Sequence, residues 1–301
     1  MSSPRQTISY LTRRFREAGI EPSVRHGQNF LIDLNLLDIL LDAAKLGPDD
    51  VVLEVGTGMG SLTARMAEKA ASVVTVEIDE RMFSLASEEL AEFGNVVMLQ
   101  EDALKSKNHL SEVVMAAVRE ELGKSPGRQF KLVANLPYNI ATPILSNLLT
   151  HDQVPVSLTA TIQKELAERM IAPPSTKDYS ALSIWMQALC DMEIVRHLPP
   201  QAFWPRPKVQ SAIIHIVPSA EKRARIPDVA YFHTFVRSLF LHRRKFLRGV
   251  LITMLKGQVE KPIIDEILEA FQFPIDARAE QLDVETLLAL SEAFRGLVPT
   301  E

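Results

Sequence analysis

The chain has 301 residues, 47% hydrophobic and 24% charged, a balance that excludes disordered and fibrous classes and leaves room for one large domain with a smaller second one. Its formal net charge is -5, so any nucleic-acid contact must come from local basic clusters rather than from the total. The single cysteine, Cys190 in "MQALCDME", excludes an intrachain disulfide and a multi-cysteine zinc site, fits a reducing compartment, and reads as a small buried hydrophobe.

No apolar run approaches the roughly 20 residues that span a bilayer, and the N-terminus lacks the apolar core of a secretory signal. The expected location is the cytoplasm, with no membrane contact. The first segment, "SSPRQTISYLTRRFREAG", contains Arg and Ser and is amphipathic, which also describes a transit peptide. Its apolar residues Ile8, Leu11, Phe15 and Ala18 recur at helical spacing up to Gly19, predicting a short helix. A second helix is predicted through "LNLLDILLDAAKL", stopping at Gly47-Pro48.

The pattern then changes. "VVLEV", "SVVTVE", "NVVMLQ", "FKLVA" and "VSLTATI" are short β-branched runs separated by helical stretches such as "ERMFSLASEELAEF". Strand alternating with helix predicts a parallel sheet covered on both faces. Ligands of such sheets sit beyond the carboxyl ends of the strands, so the loops there are where chemistry is to be sought. After "QSAIIHIVP" strand character disappears and the remainder reads as helices, marking a boundary near Pro218.

The first strand end, "VVLEVGTGMGSLT", places Gly56, Gly58 and Gly60 before a helix. The G-x-G-x-G spacing differs from the dinucleotide fingerprint and lacks the Lys-Ser/Thr ending of a phosphate loop. Glu54 beside it suggests a cationic ligand. The next strand ends in Glu77, about 20 residues on, where a carboxylate can accept both ribose hydroxyls. The third ends near Asp102, able to accept from an exocyclic amine. Singly each carboxylate reads as a cap or a surface residue; together they outline a nucleoside pocket whose acidic rim suits the sulfonium of S-adenosylmethionine.

The fourth strand end is "FKLVANLPYNIATP". The amine of adenine is a poor nucleophile because its lone pair is delocalised. The amide oxygen of Asn135 and the carbonyl of Leu136 could accept its two N–H bonds and turn the lone pair toward a methyl donor. Pro137 stiffens the turn, and Tyr138 offers a face on which an extruded base stacks. Catalysis on this reading is positioning and electrostatics, without a strong base.

With these strings the sequence resembles the KsgA-type small-subunit (16S) ribosomal RNA adenine N6,N6-dimethyltransferases, through "GIEPSVRHGQNFLID", "LEVGTGMGSLT", "VEID", "EDAL", "NLPYNIATPIL", "QKELAERMIAPPSTKDYSALSIWMQ", "PPQAFWPRPKVQSAIIHIVP" and "FLHRRKFLRGVL". The resemblance implies an α/β, Rossmann-like methyltransferase sheet in residues 1–218, including the N-terminal helix, which is therefore not a transit peptide. It implies a small all-α domain in residues 219–301 for contact with ribosomal RNA. The cofactor would be S-adenosyl-L-methionine, held by Asn29, Leu31, Gly56, Gly58, Glu77, Ile78, Asp102, Ala103 and Asn135, with Asn135, Leu136, Pro137 and Tyr138 catalytic and no metal. Phe203, Pro207, Lys208, Arg243, Arg244 and Lys245 would contact RNA. The partner implied is small-subunit rRNA in a pre-assembled 30S particle, bound by a monomer. Family members often carry Pro where Thr57 stands and a more basic run where "EPSVRH" stands, which bears on any RNA contact at Arg25. The competing expectations are a large-subunit rRNA adenine methyltransferase sharing the pocket, and a non-catalytic assembly factor keeping the fold.

Overall fold

The computed structural model describes residues 8–17, 19 and 29–297; Ala18, Arg25 and the rest of "EPSVRH" lie outside them. Helix α1 (Ile8–Glu17) buries Leu11 and Phe15, four residues apart and so on one face, whereas Ile8 is exposed. Phe15 reaches Phe30 at 5.2 Å and Trp204 at 5.5 Å between ring centroids. Strand β1 (Phe30–Leu31) leads into α2 (Leu34–Ala44), whose first turn is capped by the Asp33 carboxylate accepting from the Asn35 N–H at 3.0 Å.

The alternating region follows in order: β2 (Asp50–Val55), α3 (Ser61–Ala67), β3 (Ser72–Glu77), α4 (Glu80–Leu90), β4 (Val96–Gln100), the small hairpin β5 (Leu104–Ser106) and β6 (His109–Leu110), α5 (Glu112–Gly123), β7 (Gln129–Asn135), α6 (Ala141–Leu148) and β8 (Ser157–Gln163). Then come α7 (Lys164–Ile171), α8 (Ala181–Leu189), β9 (Cys190–Leu198), β10 (Phe203–Trp204) and β11 (Ser211–Pro218). The C-terminal helices are α9 (Ala220–Ala224), α10 (Val229–Phe240), α11 (Leu247–Met254), α12 (Lys261–Ala270) and α13 (Val284–Arg295).

The main sheet has strand order β4-β3-β2-β7-β8-β11-β9. Strands β4, β3, β2, β7 and β8 run parallel and β11 runs antiparallel to β8. β2 and β3 are buried at every position, as parallel strands covered on both faces must be, which is why they read as continuous β-branched runs. The chain builds outward from β2 to β4 and then returns to add β7 on the other side, so the direction of winding switches between β2 and β7. A crevice opens at that point because the connections leave toward opposite faces.

Two compact units emerge, Met1–Ala167 with Met192–Pro218, and Glu168–Asp191 with Ser219–Glu301. The division at Pro218 coincides with the sequence boundary, but residues 168–191 join the C-terminal helices rather than the sheet. The reason is α8, whose residues Ser183, Ile184, Trp185, Met186, Ala188 and Leu189 are all buried and need cover on several sides. Within the second unit α8 packs on α9, α10 and α13, and the buried Tyr179 hydroxyl donates to the Leu282 carbonyl at 2.8 Å. Cys190 is 1% exposed, and burial pushes its thiol up to about 12. Among the described residues, everything after Pro218 is helix or loop apart from one bridge between Phe246 and Arg278, in line with the all-α reading. No helix among the described residues is long and apolar enough to cross a membrane.

Candidate active site

A cavity of about 590 Å³ opens in the first unit at the carboxyl ends of β2, β3, β4 and β7, with Asn29 and Phe30 along one side. The β2–α3 turn forms its floor. Gly56 and Gly58 have φ of +88° and +58°, conformations that an L side chain adopts only with strain. A Cβ on Gly56 would stand 3.4 Å from the Pro137 ring, and one on Gly58 would stand 3.3 Å from Phe30. The two glycines thus bring the backbone against the opposite wall.

Glu77, at the end of β3, is 6% exposed. Its Oε2 accepts from the Gly58 N–H and its Oε1 from the Asp79 N–H, both at 3.1 Å. Burial pushes this carboxyl above its ordinary range, and the backbone N–H bonds oppose the shift. The two strand-end loops therefore aim one carboxylate into the cavity. Ile78 beside it is 61% exposed along the same lining. After β4, Asp102 is exposed and accepts from the Leu104 N–H at 2.9 Å, and buried Ala103 completes the edge.

At the end of β7 the Leu136 N–H donates to the Thr161 carbonyl at 3.1 Å, keeping the turn on the sheet. The Asn135 Nδ2 donates to the Asn29 carbonyl at 2.8 Å, a contact across 106 positions that leaves Oδ1 as the end free to accept. Pro137 backs the glycine turn, and the Ile140 N–H closes onto its carbonyl at 3.1 Å. The Tyr138 hydroxyl is 2.6 Å from Ser211 Oγ at the start of β11, which anchors the hydroxyl end of the half-buried ring. Asn29, Gly56, Gly58, Glu77, Ile78, Asp102, Ala103, Asn135, Leu136, Pro137 and Tyr138 all line this one cavity.

Four expectations change. Leu31 is 4% exposed and belongs to the core beneath the sheet with Leu37 and Leu40; it holds β1, and through it Asn29 and Phe30, but does not line the cavity. Glu54 does not form an acidic rim, because successive strand residues face opposite ways and Val55 takes the cavity side. Its carboxyl, 1% exposed, accepts from Thr63 at 2.5 Å and Thr75 at 2.7 Å, and burial pushes it up to about 8. Thr57 extends this network through its hydroxyl, 2.7 Å from Thr75. Phe203 is 3% exposed, paired across β10 and β1 with Leu31, so its side chain packs in the core and offers almost no open face; neighbouring Pro207 is half-buried and Lys208 exposed. In the second unit, the Arg243 guanidinium donates to the Tyr179 carbonyl and, at 2.7 Å, to the Lys177 carbonyl, and lies 3.5 Å from Glu280. It is spent on internal bonds, whereas Arg244 and Lys245 are exposed.

Sequence reasoning missed Ser211, Arg81 and Phe30. Arg81 lines the cavity and donates to the Gly19 carbonyl at 2.8 Å. Nothing in the local spacing of Ser211 signals its bond to Tyr138, which lies 73 positions away. Among the described residues, no group of three or more His, Cys, Asp or Glu side chains is placed to hold a metal ion.

Over residues 22–290 the sequence matches the family described as Ribosomal RNA adenine dimethylase. It is 40% identical over 267 residues to the Ribosomal RNA small subunit methyltransferase A of Alkaliphilus metalliredigens (strain QYMF), covering 88% of this chain and 89% of that protein. To the protein of the same name from Bacillus cereus (strain AH187) it is 38% identical over 270 residues, covering 89% of each. Among solved structures, a dimethyladenosine transferase from Plasmodium falciparum is similar with TM-score 0.73 and 26% identity, over 88% of this chain and 96% of that one. The 23S rRNA methyltransferase ErmE is similar with TM-score 0.63 and 25% identity, over 88% and 99%.

Proposed function

The chain belongs to the ribosomal RNA adenine dimethylase family, and on that premise we propose that it transfers methyl groups from S-adenosyl-L-methionine to the N6 amines of two adjacent adenines in a hairpin loop near the 3′ end of small-subunit (16S) rRNA, during ribosome biogenesis. The observation that carries this reading is the Asn135 amide: its Nδ2 is engaged by the Asn29 carbonyl, which leaves Oδ1 as the acceptor end of a residue lining the same cavity as Gly56, Glu77 and Asp102.

The residues present fit S-adenosyl-L-methionine. Gly56 and Gly58 leave a cradle that a Cβ would crowd, Glu77 presents a carboxylate oriented by two backbone N–H groups, and Asp102 with Ala103 edges the same cavity. When bound, the cofactor supplies an electrophilic methyl group on a sulfonium. Everything else is done by the chain. Oδ1 of Asn135 and the Leu136 carbonyl accept the two N–H bonds of the adenine amine, favouring a nitrogen whose lone pair is directed rather than delocalised. Once one methyl is present a single N–H remains, so one acceptor suffices for the second transfer. The Tyr138 ring, held by Ser211, provides the face for the extruded base. No side chain at the cavity is needed as a strong base, since the proton can leave to water after transfer.

The sheet unit is the catalytic part, and the helical unit contacts RNA through groups that include Arg244 and Lys245. The chain acts in the cytoplasm as a monomer on a pre-assembled 30S particle; its net charge of -5 favours a composite surface over naked RNA. Identities of 38–40% to relatives named for the small subunit, against 25% to ErmE, support the small subunit over the large. The test is incubation with labelled S-adenosyl-L-methionine and small subunits lacking the modification, followed by mass spectrometry of the rRNA. Dimethyladenosine at two adjacent positions is expected; label confined to large-subunit rRNA, or none, refutes the proposal.

A further inference from the structure

The second unit exposes an aromatic ring where a soluble surface has little use for one. Phe246 precedes α11 and is 53% exposed. Its backbone is pinned on both sides: it bridges Arg278, and the next N–H, that of Leu247, donates to the Ala277 carbonyl at 2.7 Å. The Arg278 guanidinium lies over the Phe246 ring, 5.7 Å from its centroid, while the Arg278 N–H donates to Gln281 at 2.8 Å. The ring and its stacked cation are thus held at a fixed place on the surface, at little entropic cost to a ligand.

Charge around the ring is selective. Arg243 is bonded to carbonyls and Glu280, and Arg248 is paired in bidentate fashion with Asp265 at 2.5 and 2.8 Å. Arg244, Lys245 and Arg278 are exposed, and among the described residues none of them has a carboxylate within 4.0 Å. A protein-docking patch is apolar at its centre and poor in lysine. Here the exposed ring carries one cation, Arg278, and the two residues that precede Phe246 in the chain, Arg244 and Lys245, are exposed cations without carboxylate partners among the described residues, in a chain whose total charge is negative.

We propose that Phe246 and Arg278 form a stacking subsite for one unpaired nucleobase of the ribosomal RNA, with Arg244 and Lys245 contacting its flanking phosphates. An aromatic ring backed by a guanidinium plane suits a splayed base, and the unpaired cations suit the backbone on either side of it. The proposal rests on the rRNA reading above and adds to it a subsite that selects single-stranded over duplex RNA.

The test is binding of labelled protein to unmodified small ribosomal subunits across a salt series, with methyl transfer by the wild type measured on the same particles. Phe246→Leu keeps an apolar side chain and should weaken binding roughly 5- to 150-fold, Phe246→Trp should bind like wild type, and both should keep the wild-type salt slope. Arg244→Gln combined with Lys245→Gln should lower that slope by about one per cation removed. Wild-type affinity in Phe246→Leu, with methyl transfer intact, overturns the stacking subsite and leaves the enzyme reading standing. Affinity retained by Phe246→Leu but lost by Phe246→Ala would mark an apolar protein contact and overturn it equally. Absence of transfer by the wild type is the separate result that removes the parent reading.

Discussion

Replacing Glu54 by glutamine should make the first unit more stable near neutral pH, although the substitution breaks an acidic position in a glycine-rich motif. The carboxyl is 1% exposed and its hydrogen-bond partners are the hydroxyls of Thr63 and Thr75, with no cation to offset burial. Its pKa rises from the ordinary 4.5 to about 8 in the folded chain. For a group raised on folding, the stabilising contribution is complete below pH 4.5 and is lost as pH climbs through about 8, because the folded state must hold the proton that the unfolded chain releases. At about 1.36 kcal/mol per unit, the loss reaches about 3 kcal/mol at pH 7 and about 5 kcal/mol above pH 8. A glutamine side chain here would be isosteric and neutral, and its amide oxygen can accept both hydroxyl bonds, so it avoids this loss. Trp204 lies in the unit that contains Glu54 and Trp185 in the other, so tryptophan fluorescence in a Trp185→Phe background reports the right unit. Urea unfolding from pH 5 to 9 should show the wild type falling relative to Glu54→Gln, the gap opening between pH 5 and 8. Parallel curves, or a variant less stable than wild type at pH 8, would refute the buried neutral carboxyl.

Other substitutions separate the roles assigned at the site. Asn135→Ala should reduce methyl transfer by at least roughly 100-fold while cofactor affinity, read by isothermal titration, stays within a few-fold; a near wild-type rate would show that the amide does not hold the amine. Tyr138→Phe loses only the bond to Ser211 and should cost about 1 kcal/mol of stability with most transfer retained, whereas Tyr138→Ala should raise KM for the particle; equal effects of the two would argue against stacking. Arg243→Ala should destabilise the second unit by about 1–3 kcal/mol, since it strands the Tyr179 and Lys177 carbonyls, while Arg244→Ala should leave thermal melting unchanged and reduce the salt dependence of particle binding. If melting responds equally to both, the division between structural and contact arginines is wrong.

The strand–helix alternation, the helical C-terminal part and the cavity at the strand ends were legible in the sequence because each is written locally. A run such as "VVLEV" states that it is buried on both faces, and "GTGMG" states a backbone that must pass close to something. The same holds for "NLPY", where a stiffened turn and an amide share one strand end. The hairpin β5–β6 and the short β1–β10 pair were not legible, being two- and three-residue strands too brief for any period to register.

What tertiary structure alone decided is which chemically similar residues are free. Glu54 and Glu77 are both strand-end carboxylates, yet one is sealed among threonines and the other is held by two backbone N–H groups at the cavity. Arg243 and Arg244 are neighbours, yet one is absorbed by carbonyls of a segment more than 60 positions away while the other faces water. Phe203 and Phe246 are both aromatic residues in matched motifs, one in the core opposite Leu31 and one on the surface beneath Arg278. Local sequence sets the period of burial and the shape of a turn; whether a polar or aromatic side chain is left for a ligand depends on partners brought from far along the chain, and only the folded packing supplies them.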